Sequence, residues 1–268
     1  MVDRDPPAES PQSRQSAEPP RAPAGGRGGA PAWTPLYAQV QALLEQGLER
    51  AEWKPGEAIP SELELAARFG VSQGTVRKAI DALAAANRVV RRQGKGTFVA
   101  THTEERSSNF RFLRIRRDDG EYEYPASRLV DLKRARAGAE TARALGLRTG
   151  EGIYVLHRLL EYGGRPVVLD EITLPAARFR GLTRERYDAF HGSMYGFFET
   201  EFGVHMLRAV ERLHAVSADR ATAALLRVPV GSPLLAVDRV TYTWGERPVE
   251  LRRGLATTAL HHYWNELV

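Results

Sequence analysis

Residues 59–99, IPSELELAARFGVSQGTVRKAIDALAAANRVVRRQGKGTFV, decide how the first third of the chain folds. Ser61-Glu62-Leu63-Glu64 is a capping box: the Ser61 hydroxyl and the Glu64 carboxylate can satisfy each other's backbone N–H groups at a helix start. Gly70 ends that short helix, because glycine takes the left-handed conformation of a helix terminus at little cost. Ser72 can cap a further helix in which Val76, Ala79, Ile80 and Leu83 share one side. After Asn87 the period changes. Arg88–Arg92 and Thr97–Val99 read as short strands around the turn Gln93-Gly94-Lys95-Gly96. Upstream, Thr34-Pro35 looks like an N-cap followed by proline at the first helical position. Leu36, Val40, Leu43, Leu44 and Leu48 then recur at helical spacing, and Pro55-Gly56 marks a turn. Residues 33–100 therefore run helix, helix, helix, hairpin.

The helix after Ser72 has a second face, made of Gly74, Arg77, Lys78 and Asp81. From Arg68 to Thr97 there are seven basic residues and one acidic residue, Asp81, a local balance of +6. A short helix, a tight turn and a second helix with an exposed basic N-terminal end are what base-edge reading in a major groove requires. An interior glycine costs a helix about 1 kcal/mol relative to alanine, so close backbone approach to a duplex is a physical reason for Gly74. The same wheel also suits a small helical domain with a solvated cationic face.

Around this segment the 268-residue chain has room for two domains. Residues 1–32 hold seven of the sixteen prolines and four glycines and lack large apolar residues, which predicts a disordered, dispensable tail. The chain has no cysteine, which excludes disulfides and thiolate metal sites, and its net charge of +5 permits nucleic acid without demanding it. No apolar run approaches the ~20 residues of a membrane span, and no secretory leader is evident, so a cytoplasmic, membrane-free protein is expected. Residues 101–125 are polar and read as a linker. Beyond it, 126–268 reads as α+β with a mostly antiparallel sheet: apolar stretches at 152–162, 166–174, 206–217, 233–244 and 249–256, and helical pieces near 139–146, 193–202 and 218–227.

That second domain contains a repeat. Ala142–Arg158 aligns without gaps on Ala223–Arg239, an offset of 81 residues. Arg158 meets Arg239, and each is followed by a hairpin turn, Tyr162-Gly163-Gly164-Arg165-Pro166 and Trp244-Gly245-Glu246-Arg247-Pro248. Two copies of a helix–strand–hairpin unit are the expectation, with chance likeness between amphipathic segments as the alternative. None of the seven histidines forms a metal-ligand motif, and neither glycine pair is long enough to cradle phosphate, so no metal or cofactor is expected.

The string Pro35-Leu36-Tyr37, Pro55-Gly56, Ile59-Pro60-Ser61-Glu62, Leu65-Ala66, Val71-Ser72, Thr75-Val76-Arg77, Ala79 and Arg91-Arg92-Gln93-Gly94-Lys95-Gly96-Thr97-Phe98-Val99 closely resembles the winged helix-turn-helix of the GntR family. The resemblance implies a helix from Ser72 in the major groove of an operator and a Gly94–Gly96 wing tip in the adjacent minor groove. It implies DNA contacts from Ser72, Gln73, Gly74, Thr75, Arg77, Lys78, Arg92, Gln93, Gly94, Lys95 and Gly96. Gln73-Gly74 departs from the arginine and hydroxyl or small residue of many members, and Leu63 stands where some carry an arginine. Both departures bear on which operator is read.

Arg158-Leu159-Leu160, Gly164-Arg165-Pro166, Leu174-Pro175, Ser193-Met194-Tyr195, Phe202-Gly203, Val228-Pro229, Gly231 and Arg247-Pro248-Val249-Glu250 resemble the UTRA effector domain of the HutC branch. This implies a chorismate-lyase-like fold without catalysis, a homodimer, and a small-metabolite effector that alters operator affinity. It implies Arg158 gripping an anionic ligand, Asp170 accepting from ligand hydroxyl or amino groups, and Ser193 beside the anionic end. Members that bind sugar phosphates have a second arginine two residues after the first; here Leu160 stands there, which favours a carboxylate held by one arginine. Arg158 and Arg239 sit at equivalent points of the repeat, so a pseudo-two-fold relation could place both near one cleft; in the second copy, Arg239 and Arg252 have only Glu250 close in sequence and read as structurally paired. The expectation is a DNA-binding repressor released by a small organic acid. Its rivals are a lyase-type enzyme with an accessory DNA-binding module and a DNA-binding protein whose second domain only dimerises.

Overall fold

In the computed structural model, residues 34–102, 112–121 and 123–266 are described. The expected tail, residues 1–32, lies outside them. The head begins with α1 (Leu36–Glu49), α2 (Glu62–Phe69) and α3 (Gln73–Ala85), followed by β1 (Val89–Arg92) and β2 (Gly96–Val99). The capping box is present: Ser61 N donates to Glu64 Oε2 at 2.8 Å and Glu64 N to Ser61 Oγ at 3.3 Å. Gly70 closes α2 at φ +64°. Val40, Leu44, Leu65, Val76, Ile80 and Leu83 meet in a core with Ile59, Val89 and Val99. Each such aliphatic side chain, removed from water, stabilises the head by about 1.5–3 kcal/mol. The start of α1 differs from expectation. Pro35 is the cap and makes no side-chain cap bond, its carbonyl accepting from Ala38 and Gln39 instead. Leu36 and Leu43, expected in the apolar stripe, are exposed, because the core reaches only Val40, Leu44 and Leu48.

The β1–β2 wing is antiparallel, Val89 opposite Val99 and Arg92 opposite Gly96. Gly94 (φ +71°) and Gly96 (φ +109°) supply the left-handed backbone its tip needs. The loop before α2 is lashed to β2 by Ile59 N to Thr97 O (2.9 Å) and Val99 N to Glu57 O (2.8 Å).

The stretch read as a linker carries a strand of its own, β3 (Ile115–Arg117). Next come β4 (Ala126–Arg136), α4 (Ala139–Leu145), β5 (Gly152–Tyr162), β6 (Arg165–Pro175), α5 (Arg184–Ala189), α6 (Met194–Phe202), β7 (Arg208–Ser217), α7 (Arg220–Leu226), β8 (Pro233–Thr243), β9 (Arg247–Thr257) and β10 (His261–Tyr263). Six strands form one antiparallel sheet in the order β4-β5-β6-β9-β8-β7, and β3 pairs with β10 in a separate ribbon.

The sequence repeat is a structural one. Adding 81 to the bounds of α4 and β5 gives α7 and β8, and adding 82 to β6 gives β9. The turn bonds repeat too: Ala137 N to Glu151 O and Gly150 N to Ala137 O recur as Ala218 N to Ser232 O and Gly231 N to Ala218 O. The sheet is thus two three-stranded halves joined at β6 and β9. One face is covered by α4 and α7, over Leu159, Leu169, Leu226 and Leu234 on the α7 side and Ala142 and Ile153 on the α4 side. On the other face, the α5–α6 crossover packs Phe179, Phe197 and Phe198 on Leu156, Ile172 and Leu174.

Candidate functional site

Two surfaces concentrate polar chemistry: the exposed side of α3 with the wing, and a cleft on the α6 face of the sheet. On α3, Val76, Ala79, Ile80 and Leu83 are buried, which turns Gln73, Gly74, Arg77 and Lys78 outwards. Ser72 Oγ accepts from Thr75 N at 3.2 Å and lies 2.9 Å from Thr75 Oγ1, so its hydroxyl fixes the helix start. A Cβ on Gly74 would meet no atom nearer than Ser72 Oγ at 3.9 Å. None of the described residues requires glycine there. Lys78 Nζ lies over the Tyr37 ring, 4.1 Å from its centroid, and the Arg92 guanidinium over Phe98 at 4.5 Å. Gln93, Gly94, Lys95 and Gly96 are exposed at the wing tip.

Sequence reasoning passed over Glu62 as a site residue. Its Oε2 accepts from Arg77 Nε (3.0 Å), Arg77 Nη2 (2.9 Å) and Gln73 Nε2 (3.2 Å), and its Oε1 from Arg91 Nη1 (2.9 Å). Arg77, ahead of Arg91 and Gln73, holds the Glu62 carboxyl below the usual carboxylate range against a smaller effect of burial.

The cleft is built by register. Arg158 on β5 stands opposite Asp170 on β6, and Arg239 on β8 opposite both Glu211 on β7 and Arg252 on β9. These side chains share one sheet face with Glu250, and the central ones are almost completely buried. Asp170 Oδ2 accepts from Arg158 Nε and Nη2, both at 2.8 Å, and from Arg252 Nη1 at 3.4 Å. Burial opposes its ionisation, but the guanidinium groups of Arg252 and Arg158 outweigh burial and hold the carboxyl below its ordinary value. Arg252 Nε donates to Glu250 Oε1 at 2.6 Å; Arg239 Nε donates to Glu211 Oε1 at 2.6 Å and its Nη1 to the Tyr195 hydroxyl at 3.3 Å. Arg252 Nη2 and Glu250 Oε2 have no hydrogen-bond partner among the described residues.

The cleft encloses about 60 Å³ and is lined by Arg158, Arg239, Arg252, Ser193, Tyr195 and Phe112, among others. Arg158 and Ser193, two of the three expected effector residues, thus come together. Asp170 does not line the opening but lies behind Arg158 and Arg252. Arg239 and Arg252, read from the sequence as structurally paired, are bonded to Glu211 and Glu250, and both line the same cleft as Arg158, because the two halves of the sheet face it together. Ser193 caps α6, its Oγ accepting from Gly196 N at 2.9 Å and donating to His102 O at 3.3 Å. A larger groove of about 590 Å³ beside the β3–β10 ribbon has no buried charged side chain in its walls. Chemistry rather than volume singles out the smaller cleft. Among the described residues no cluster of three or more His, Asp or Glu is placed to hold a metal, and no helix is long and apolar enough to cross a membrane.

Among the described residues, head and sheet domain touch at the β8–β9 hairpin and just beyond β2. At the tip of the β8–β9 hairpin, Trp244 packs against the head core and lies 5.2 Å from the Arg88 guanidinium, while Arg247 faces Glu49 at 3.7 Å. Just beyond β2, the Thr101 hydroxyl donates to Glu199, and His102 N donates to Glu199 Oε2 at 3.0 Å. Burial opposes ionisation of Glu199, but bonds from His205, Thr101 and the His102 amide hold its carboxyl below the usual range.

Known proteins agree with this architecture. The profile described as "Bacterial regulatory proteins, gntR family" matches residues 36–99, and that of the UTRA domain matches residues 103–259. The histidine utilization repressor of Pseudomonas putida is 30% identical over 227 residues, covering 82% of this chain and 86% of its own. The HTH-type transcriptional repressor NagR of Bacillus subtilis is 28% identical over 234 residues, covering 85% and 94%. Among solved structures, the ligand-binding domain of a protein described as a GntR-family transcriptional regulator from Bordetella bronchiseptica is 48% identical. It superposes with a TM-score of 0.56 over 59% of this chain and 98% of its own. With a DNA-binding helix-turn-helix in front and a UTRA domain over more than half its length, the chain belongs to the GntR family of bacterial transcriptional regulators, in its HutC branch.

Proposed function

We propose that the protein is a ligand-responsive repressor that binds an inverted-repeat operator as a homodimer in the cytoplasm and leaves it when a small organic acid enters the cleft. In this reading, residues 33–100 are the reading head, 101–125 the connection, 126–268 the sensor, and 1–32 a tail. Gln73, Arg77 and Lys78 meet base edges and phosphates, with Ser72 and Thr75 setting the helix end and Gly74 allowing close approach. Arg92 and Gln93–Gly96 follow the neighbouring groove. Arg158 grips the effector carboxylate and Ser193 sits beside it at the α6 N-terminus. Asp170 keeps Arg158 and Arg252 oriented from behind.

The observation that carries the effector class is the charge balance of the cleft. Three buried guanidinium groups are matched by the carboxylates of Asp170, Glu211 and Glu250. A site already neutral accepts one further negative charge more readily than the two of a phosphate monoester, and Leu160 again withholds a second arginine on β5. The test is to select an operator from a random duplex library with the full-length protein, then measure its binding while small carboxylates and sugar phosphates are titrated in. A carboxylate that releases the operator, an inverted repeat with half-sites about one helical turn apart and a sedimenting dimer are expected. Release by sugar phosphates alone, turnover of a carboxylate, or a monomer on one half-site would refute it.

A further inference from the structure

We infer that Glu62, on the helix preceding the reading helix, is the positioning residue that holds the base-reading side chains Gln73 and Arg77 in their reading conformations. The inference rests on the DNA-reading role proposed above. A carboxylate inside a DNA-facing surface repels phosphates, so it has to be useful in another way. Its bonds show how. Arg77 gives Glu62 its Nε and Nη2, at 3.0 and 2.9 Å on one oxygen. The guanidinium fork is planar, so committing that edge points the Nη1–Nη2 edge away from Glu62, and 58% of the Arg77 side chain is exposed. Two parallel N–H groups on that edge match O6 and N7 of guanine. Gln73 gives Glu62 one amide N–H at 3.2 Å, leaving its carbonyl and its other N–H outward, the pair that matches N6 and N7 of adenine.

The third partner makes the arrangement rigid. Arg91, on the wing strand, gives Nη1 to Glu62 at 2.9 Å and Nη2 to Asp81 at 2.8 Å. Arg91 therefore spans from α2 to α3 with both ends engaged, and Glu62 has only 14% of its side chain exposed. Long cationic side chains on a surface lose rotamer freedom when they bind DNA; here that cost is met in the free protein by a carboxylate that is itself fixed.

The expected signature separates positioning from mere charge. Full-length wild type, Glu62→Gln and Glu62→Asp are compared on the selected operator and on a random-sequence duplex of equal length, across a salt series. Glu62→Gln removes a negative charge near DNA, so random-duplex affinity should hold or tighten. Operator affinity should fall about tenfold, the size of one lost base discrimination, so the specificity ratio collapses. Glu62→Asp keeps the charge but withdraws the carboxylate by one methylene, and should lose the ratio as well. In an Arg77→Ala background, Glu62→Gln should cost much less. A ratio retained in Glu62→Gln, with both affinities rising or both unchanged, overturns the inference, as does a full tenfold loss without Arg77. Thermal unfolding of each variant identifies folding loss, and parallel loss on both duplexes also counts against positioning. If wild type itself shows no preference for any selected sequence, it is the DNA-reading role that fails.

Discussion

Replacing Asp170 by asparagine keeps the shape of the side chain and removes one charge from the centre of the sheet. The carboxylate is 3% exposed, accepts two bonds of 2.8 Å from Arg158 and one of 3.4 Å from Arg252, and sits among three guanidinium groups. Solvent screening is negligible at that depth, so the discount applied to surface pairs does not apply. Breaking a buried pair from one side typically costs 3–5 kcal/mol, about 3–5 kcal/mol being expected here because two cations lose the same partner. Domains are stable by roughly 5–15 kcal/mol, so Asp170→Asn should fold but unfold at markedly lower urea. The pH dependence has a defined sign. The folded-state pKa of Asp170 is depressed, so its stabilisation is complete above the ordinary carboxylate range and disappears as pH falls through the folded value. The gap between wild type and Asp170→Asn should be full at pH 7 and close progressively below about pH 4. Anions that enter the cleft should restore part of the variant's stability, because the site has gained net positive charge. Urea titrations followed by circular dichroism at pH 7 and pH 3.5 measure all of this. A loss under about 1 kcal/mol at pH 7, or a gap that widens in acid, would refute the account of the cleft as a balanced charge ladder.

Arg77→Ala should weaken operator binding by about 1–3 kcal/mol in gel shifts, whereas Lys95→Ala should weaken all sequences alike and reduce the salt slope by about one. Arg158→Ala should abolish effector binding in calorimetry while operator affinity without ligand stays near wild type; if Arg239→Ala alone abolishes it, the anion is held by the second half of the sheet. Trp244→Ala removes a half-buried indole from the head's core and its contact with Arg88, and should lower head stability by about 1–2 kcal/mol, read as an earlier melting transition of the head.

The head was legible almost residue by residue because its signals are local. Ser61, Glu64, Gly70 and Ser72 do within four residues what the pattern says they do. Leu36 and Leu43 misled because periodicity marks a stripe but not how wide a neighbour covers it. In the sheet domain, the repeat was visible because glycines and arginines recur at fixed offsets, and the helices near 139–146, 193–202 and 218–227 are α4, α6 and α7. β4 escaped because it is an edge strand with most residues exposed and five of its eleven charged, so it carries no apolar alternation. β3 and β10 are three residues each, too short for any period. Arg252 pairs with Glu250, as its sequence neighbourhood suggests, but its second carboxylate was beyond any local reading. Its neighbour Asp170 lies 82 residues away, and only the β6–β9 junction brings the two together.

The short run after the wing has a mechanical consequence. β2 ends at Val99, and His102, whose carbonyl accepts from Ser193 at the mouth of the cleft, follows three residues later. Three extended residues span at most about 11 Å, with no slack to absorb movement. The end of β2 and the cleft mouth are therefore two ends of one short tether, moored at its cleft end by Glu199 through Thr101 and the His102 amide. Under the function proposed above, a ligand that takes the Ser193 hydroxyl for itself would untie one end. The tether then either slips its mooring at Glu199 or drags the wing with it. In the dimer proposed above, both outcomes would change how two heads are spaced along a duplex, without any long-range wave of side-chain repacking through the sheet.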